Sequence, residues 1–329
     1  MKFWFAAGVM LLLAGCELGY YSHLANGQFQ LWRARQPTTE LIQAEQTPSF
    51  LKERLALTEA LRSFAKDTLG LPITDQYTTF VQLDRSYAVW SLAAAPPFSL
   101  SSKKWCYPFL GCMGYRGYFS EDKAQTHAAA LTAQGLEVSV RGVSAFSSLG
   151  WFADPVLSSF VQYPEQTYVE LIFHELAHSQ LYLSNQTTFN ESFAQFVGLK
   201  AAEQFLKQTG RQWQAQQPLA AQQFFKLAGE LRYDLSTIYS QQTPLEAKRA
   251  LKQARMAQFF QQFRAEQVLI PELARFQSWA DDMNNAILAE LNYYDALIPK
   301  FEQLFMDCDQ RWSCFYEASA RYGEALQNI

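Results

Sequence analysis

The chain has 329 residues, of which 49% are hydrophobic, and this is enough apolar material to build a core without a partner protein. Its 27 basic and 31 acidic side chains give a net charge of -4 and are spread along the sequence. Because no basic stripe is present to match a phosphate backbone, the composition argues against nucleic acid as a partner.

The first 15 residues predict a bacterial lipoprotein signal peptide. Lys2 supplies a positive start, residues 3–13 are apolar, and small residues lead to Cys16. The apolar run is roughly half of the length that a membrane-spanning helix needs, which disfavours an uncleaved membrane helix. We therefore expect Cys16 to be lipidated and to become the first residue of the mature chain. The lipid would anchor a periplasm-facing protein in the bacterial cell envelope.

Three further regions follow along the chain. Residues 16–72 have apolar side chains at helical spacing and predict a helical N-terminal segment that ends at Gly70 and Pro72. Residues 73–160 contain runs of aromatic and β-branched residues, which predict strands near 77–81, 87–90, 115–119 and 137–143. Within this region a helix is expected from Glu121 to Ala133, closed by Gly135. We interpret residues 73–160 as a small mixed sheet.

Residues 161–329 predict a helical region that begins just after Pro164. Apolar side chains recur at helical spacing over residues 199–206, 224–231, 245–263 and 286–305. The expected fold class is therefore α+β, predominantly helical.

The cysteines other than Cys16 form two local pairs, Cys106 with Cys112 and Cys308 with Cys314. Disulfides persist in an oxidising compartment, so export favours two local bridges. A zinc ribbon would also use two cysteine pairs, but its usual C-x2-C spacing is shorter than either gap. We therefore predict two disulfides.

Residues His174, Glu175 and His178 form an H-E-x-x-H motif in a segment with helical spacing. The two imidazoles lie one helical turn apart and project from the same face, so they can share one ion. Zn²⁺ suits such donors, and Glu175 is placed to act as the general base for a zinc-activated water. The alternative is a chance match of this spacing on a helix that binds no metal.

Glu191 is the candidate third ligand, because a carboxylate from a second helix after a short loop completes a His2Glu zinc site. The alternative is a glutamate in the first turn of a helix, stabilised there by the helix dipole.

Several other side chains are candidates for supporting roles. Gln195, one turn after Glu191, could form a hydrogen bond to a ligand. Asp154 could bind a substrate's amino terminus, or simply cap a local turn. The candidates for a donor to the negative charge that develops on the substrate oxygen are Tyr182, Tyr294 and Arg116.

The zinc motif followed by Asn190 and Glu191 resembles the gluzincin peptidases. The chain more specifically resembles a family of bacterial lipoproteins described as aminopeptidases, in the following segments: Trp105-Cys-Tyr-Pro-Phe-Leu-Gly-Cys, Tyr115-Arg-Gly-Tyr-Phe, Ser148-Leu-Gly-Trp-Phe-Ala-Asp-Pro, both zinc helices, and Asn284-Asn-Ala with Tyr294 and Pro299. The spacing from His178 to Glu191 is shorter than in thermolysin-like members, so their substrate sites do not transfer.

The resemblance implies a gluzincin-like core, one Zn²⁺, a peptide substrate and aminopeptidase activity. Three alternatives remain open at the level of the sequence. The first is an endopeptidase or another amide hydrolase with the same metal site. The second is a non-catalytic zinc-binding lipoprotein, and the third is an envelope protein in which the motif is coincidental.

Overall fold

The structure is a computed structural model that describes residues 2–107, 111–146, 148, 153–214 and 219–327. Side chains are described from residue 18 onward, apart from those of residues 294 and 295. The described chain is mostly helical and carries short strands, so the predicted α+β class, predominantly helical, is confirmed. None of the described helices is both long and apolar enough to cross a membrane.

The described residues form twelve α-helices, one 3-10 helix and three small sheets. The α-helices are α1 (Lys2–Arg33), α2 (Thr38–Gln43), α3 (Ser49–Asp67), α4 (Glu121–Ala133), α5 (Glu165–Ala177), α6 (Thr187–Gln208), α7 (Leu219–Ser240), α8 (Leu245–Leu269), α9 (Gln277–Asp281), α10 (Asn285–Asp295), α11 (Ile298–Asp307) and α12 (Trp312–Gln327). A 3-10 helix (Pro271–Phe276) precedes α9. The strands are β1 (Gln36–Pro37), β2 (Thr79–Val81), β3 (Val89–Ala95), β4 (Trp105–Tyr107), β5 (Gly111–Met113), β6 (Tyr115–Tyr118), β7 (Glu137–Val143) and β8 (Val156–Leu157).

The prediction of a single mixed sheet for residues 73–160 is wrong, because the strands of this region divide among three sheets. The order β1-β2-β8 forms a small mixed sheet, in which β2 is antiparallel to β1 and parallel to β8. The order β6-β3-β7 forms an antiparallel sheet, and β4 pairs with β5 in a hairpin. Strand propensity located β2 and β3 but could not show that they pair with different partners.

The local predictions for α4 and β7 are confirmed to the residue. The Ser120 hydroxyl accepts a hydrogen bond from the Lys123 backbone N–H and caps the start of α4. Gly135 has φ of +82° and ends the helix in a conformation that glycine adopts without steric cost. In contrast, the helical pattern of residues 286–305 divides into α10 and α11, and Pro299 lies in the first turn of α11, where its missing N–H costs nothing.

The main core joins the helices that carry the zinc motif to the C-terminal helices. Phe193 on α6 lies between Phe301 of α11 and Phe315 of α12, with ring centroids 5.7 and 5.8 Å apart respectively. Tyr168 on α5 is fully buried, and its hydroxyl forms a hydrogen bond with Thr58 of α3. This aromatic packing fixes α5 and α6 within the body of the protein.

Both predicted disulfides are present, Cys106–Cys112 and Cys308–Cys314. The first bridge closes the β4–β5 hairpin across the two strands. The Cys112 backbone N–H donates to Asn185 Oδ1 at 2.7 Å, and the Gly114 N–H donates to Thr187 Oγ1 at 3.3 Å. The hairpin is therefore attached to the segment that leads from α5 into α6.

Replacing both Cys106 and Cys112 by serine should lower the free energy of unfolding by about 2 kcal/mol, because the bridge closes a short loop and restricts the unfolded chain. Chemical denaturation under oxidising conditions measures this change. The wild type under the same oxidising conditions is the reference, and an unfolding midpoint of the double variant equal to that of the wild type would contradict the prediction.

Candidate functional site

The zinc motif lies at the end of α5, where both histidines are buried. His174 occupies the last turn of the helix and His178 is its C-terminal capping residue. Their ring centroids are 5.0 Å apart and their planes are nearly perpendicular, at 84°. One helical turn separates the two side chains, so both face the same side of α5 as the sequence predicts.

Glu191 is the fifth residue of α6, which follows α5 after a short connection. The Asn190 side chain both donates to the Leu183 carbonyl and accepts from the Leu183 N–H, each at 2.8 Å, and so fixes this connection. Glu191 is buried, with 7% of its surface exposed. Its carboxylate Oε2 is 3.5 Å from His174 Nε2 and 3.8 Å from His178 Nε2.

This arrangement fits a metal ion. The three side chains each offer one donor atom, and these atoms lie within 4.8 Å of one another. Donors bound at 2.0–2.1 Å in tetrahedral geometry are separated by roughly 3.3 Å, close to the two histidine–carboxylate distances observed. His178 Nδ1 is buried and has no hydrogen-bond partner among the described residues, so its ring is held by packing. The group of His174, His178 and Glu191 could therefore hold a metal ion.

The electrostatics of the group are those of a cation site. Burial lowers the pKa of His178 to about 4, despite the opposing charge of Glu191, so this imidazole is neutral and able to bind a metal. Burial raises the pKa of Glu191, but the hydrogen bond with His174 and the electrostatic interactions with His178 and His174 outweigh it and leave the pKa below its ordinary value. The carboxylate is therefore ionised in a buried position.

Glu175 lies next to this group on the wall of a large cavity. The cavity has a volume of about 1650 Å³, and the three donor residues also line it. Burial is the main cause that raises the pKa of Glu175 to about 7. The interaction with His174 lowers this pKa, and the charges of Glu191 and Asp154 raise it. A carboxyl group with such a pKa can both accept and return a proton near neutral pH.

Aromatic side chains form a large part of the cavity wall. Tyr21, Phe29 and Trp32 come from α1 on one side, and Phe224 and Phe276 come from α7 and the 3-10 helix. The volume exceeds that of most small-molecule pockets and suits an extended segment of polymer with apolar side chains.

The structure brings two of the other predicted residues to the cavity. The Gln195 side chain lines it and forms a hydrogen bond with His174. Burial lowers the pKa of His174, but the hydrogen bond with Glu191 and the charges of Glu175 and Glu191 raise it above its ordinary value, with a smaller contribution from Gln195. Tyr182 also lines the cavity, and its phenol has a raised pKa because of burial and the charge of Glu191. Both therefore lie where the sequence analysis placed them, close to the donor group.

One predicted residue is not brought to the site by the described structure, a second lies near Glu175 but has hydrogen-bond partners of its own, and a third side chain is not described. Arg116 projects from the face of β6 opposite to that of Tyr115. Its guanidinium lies 3.6 Å from the ring centre of Tyr20, so its proposed role as an oxyanion donor is corrected. Asp154 Oδ2 accepts hydrogen bonds from the Ser148 N–H and hydroxyl, which matches the turn-capping alternative. The Tyr294 side chain lies outside the described residues.

Two residues at the site were missed from the sequence. The Tyr115 hydroxyl donates to Glu191 Oε1 at 3.2 Å, and Glu290 from α10 lines the same cavity. Alternation along β6 places Tyr115 and Arg116 on opposite faces of the strand, so only one of them could reach the site. The sequence did not show which face of β6 is covered by α4. It also contains no local pattern that would identify Glu290 as a site residue.

Comparison with known proteins identifies the family of the chain. A family model described as "Putative aminopeptidase" matches residues 19–328, which include the cavity and the whole donor group. Comparison with curated proteins gave no significant match, nor did comparison with solved structures. Because the family model covers nearly the entire sequence, the chain belongs to this aminopeptidase family.

Proposed function

We propose that the protein is a zinc-dependent peptidase of the aminopeptidase type, anchored by lipidated Cys16 and facing the periplasm. The observation that carries the proposal is the convergence of His174, His178 and Glu191 on one point, with Glu175 on the wall of the same cavity. Two histidines and one glutamate are the ligand set of catalytic zinc sites that keep a position open. The sequence around Cys16 supports the lipid anchor.

The donor group, Glu175 and Tyr182 each have a role in this reaction. Zinc held by the three donors would polarise the scissile carbonyl group and lower the pKa of a water molecule. Glu175 accepts the proton of the attacking water and passes it to the leaving amine. Tyr182 is the candidate donor to the negative charge on the carbonyl oxygen.

Two further side chains hold the ligands in position. Tyr115 donates to the Glu191 oxygen that faces away from the histidines, and Gln195 bonds to His174. Such contacts fix the orientation of ligands, and their loss typically lowers metal affinity by about 10- to 100-fold.

We expect the full chain, purified in detergent, to bind one zinc ion and to cleave members of a mixed peptide library. A chelator should abolish cleavage, and added Zn²⁺ should restore it. His178→Ala should lose nearly all bound zinc, because only two of the three protein ligands remain. Metal analysis by mass spectrometry and mapping of the library products measure both effects.

His127→Ala is the matched control, since His127 lies on α4 and contacts Tyr118 on the far side of the β6-β3-β7 sheet. This variant should bind zinc as the wild type does. Equal zinc contents in wild type and His178→Ala would contradict the proposed metal site, and product mapping separates removal of terminal residues from internal cleavage.

A further inference from the structure

The cavity wall contains a carboxylate that the reaction above does not use. Glu290 projects from α10 into the cavity that holds the donor group. Its Oε1 accepts a long hydrogen bond from Ser91 Oγ at 3.4 Å. The Ser139 hydroxyl also interacts with this carboxyl group, but the buried Oε2 makes no hydrogen bond of full geometric quality to the described residues. Burying a polar atom without a full hydrogen bond costs free energy, unless a ligand in the cavity binds that atom.

The charge of Arg141 acts on this carboxylate, but the guanidinium also has other partners. The Arg141 guanidinium lies 4.0 Å from the ring centre of Trp279, and its Nη2 pairs with Asp282 at 3.7 Å. Arg141 therefore offsets the charge of Glu290 only in part, and burial raises the pKa of Glu290 to about 7. A cation that enters the cavity would be stabilised by this carboxylate.

The position of Glu290 is fixed by contacts at both ends of its helix segment. At the start of α10, the Asn284 amide donates to the Val138 carbonyl of β7, and the Asn285 amide donates to two backbone carbonyls at the end of β3. Ala286 packs against Ala93 of β3, where small side chains let α10 approach the sheet. Ala286 and Glu290 are four residues apart and share the same face of the helix.

The other end of the segment is tied directly to the metal-binding helix. Ser192 Oγ donates to the Tyr293 carbonyl oxygen at 2.8 Å, and Ser192 follows Glu191 on α6. Glu290 lies three residues before Tyr293, less than one helical turn of about 5 Å. The carboxylate and the donor group therefore face one cavity, into which both helices bring their side chains.

We propose that Glu290 binds the protonated amino terminus of the peptide substrate and so restricts cleavage to the first residues of a chain. This inference rests on the proposed peptidase function and adds the residue that would select a free amine. A primary ammonium group supplies three N–H donors and one positive charge, which match the buried Oε2 and the charge of the carboxylate.

The test uses the full chain with paired peptides that differ only in N-terminal acetylation. The wild type should cleave the free-amine peptide with a kcat/KM at least tenfold above that of the acetylated peptide. Glu290→Gln keeps the shape and the contact with Ser91 but removes the charge. It should lower kcat/KM for the free-amine peptide by roughly 10- to 100-fold, mainly through KM, and leave the acetylated peptide nearly unchanged.

Glu290→Asp, which keeps the charge, should retain part of the preference for a free amine. Glu246→Gln is the control, because that side chain is 83% exposed on α8, and it should behave as the wild type. Zinc content, measured in parallel, should be equal in all variants. Two results would overturn the proposed role of Glu290 without affecting the proposed peptidase function. The first is an equal loss of kcat/KM for both peptides in Glu290→Gln, and the second is equal cleavage of the free-amine and acetylated peptides by the wild type. Absence of any cleavage by the zinc-loaded wild type would overturn both.

Discussion

Glu175→Gln should lower peptide hydrolysis by at least about 100-fold while the protein keeps its zinc. The amide has the shape of the carboxyl group but cannot take the proton of the attacking water. His174, His178 and Glu191 form the donor group without Glu175, so the metal site should survive the change. Steady-state kinetics on a cleaved library peptide, together with the zinc content of the same sample, measure the two effects.

Glu170→Gln provides a matched control on the same helix. Glu170 is also a partly buried glutamate on α5, and it accepts a hydrogen bond from Gln166 at 2.9 Å, which an amide oxygen can still accept. This variant should keep both zinc and activity. If Glu175→Gln hydrolysed peptides as fast as the wild type, the assignment of Glu175 as the base would be wrong, whatever its zinc content.

The parts of the site that the sequence predicts are those encoded by local spacing. His174, Glu175 and His178 lie within five residues, and helical geometry alone places the two imidazoles on one face. Glu191 is separated from this motif by a short connection, so a second helix could bring it back. Short connections between helices usually lead to antiparallel neighbours, which explains why this prediction could be made.

The parts that were missed depend on contacts between distant segments. Glu290 is about 100 residues from Glu191 in sequence, and its place in the cavity depends on asparagine contacts between α10 and the sheet. The error at Arg116 has a similar origin, because alternation defines two strand faces without showing which neighbour covers each. Long-range packing of this kind leaves no periodic signal in the sequence.

A close contact between α5 and α6 was also beyond sequence analysis, and it carries a prediction. Glu191 and Gly198 are seven residues apart on α6, two helical turns, so both face α5. A Cβ atom added at Gly198 would lie 2.8 Å from the Glu170 carbonyl oxygen and 3.1 Å from His174 Cβ. These atoms belong to the body of α5 and not to the flexible end of a side chain, so the two helices would have to move apart.

Gly198→Ala should therefore destabilise the fold by about 1–3 kcal/mol through overpacking. It should also weaken zinc binding by roughly tenfold or more, since the histidines on α5 and the carboxylate on α6 would lose their spacing. Competition of the protein with a zinc indicator measures the affinity, and chemical denaturation measures the stability.

Gly229→Ala is the matched control, and it should have the opposite sign. Gly229 lies on the exposed side of α7, and a Cβ atom there would meet nothing within 4 Å. Alanine at such a helix position should stabilise the protein by about 0.5–1 kcal/mol and leave zinc affinity unchanged. Wild-type zinc affinity in Gly198→Ala would show that the site tolerates a shift between α5 and α6, and that the close helix contact does not set the geometry of the donor group.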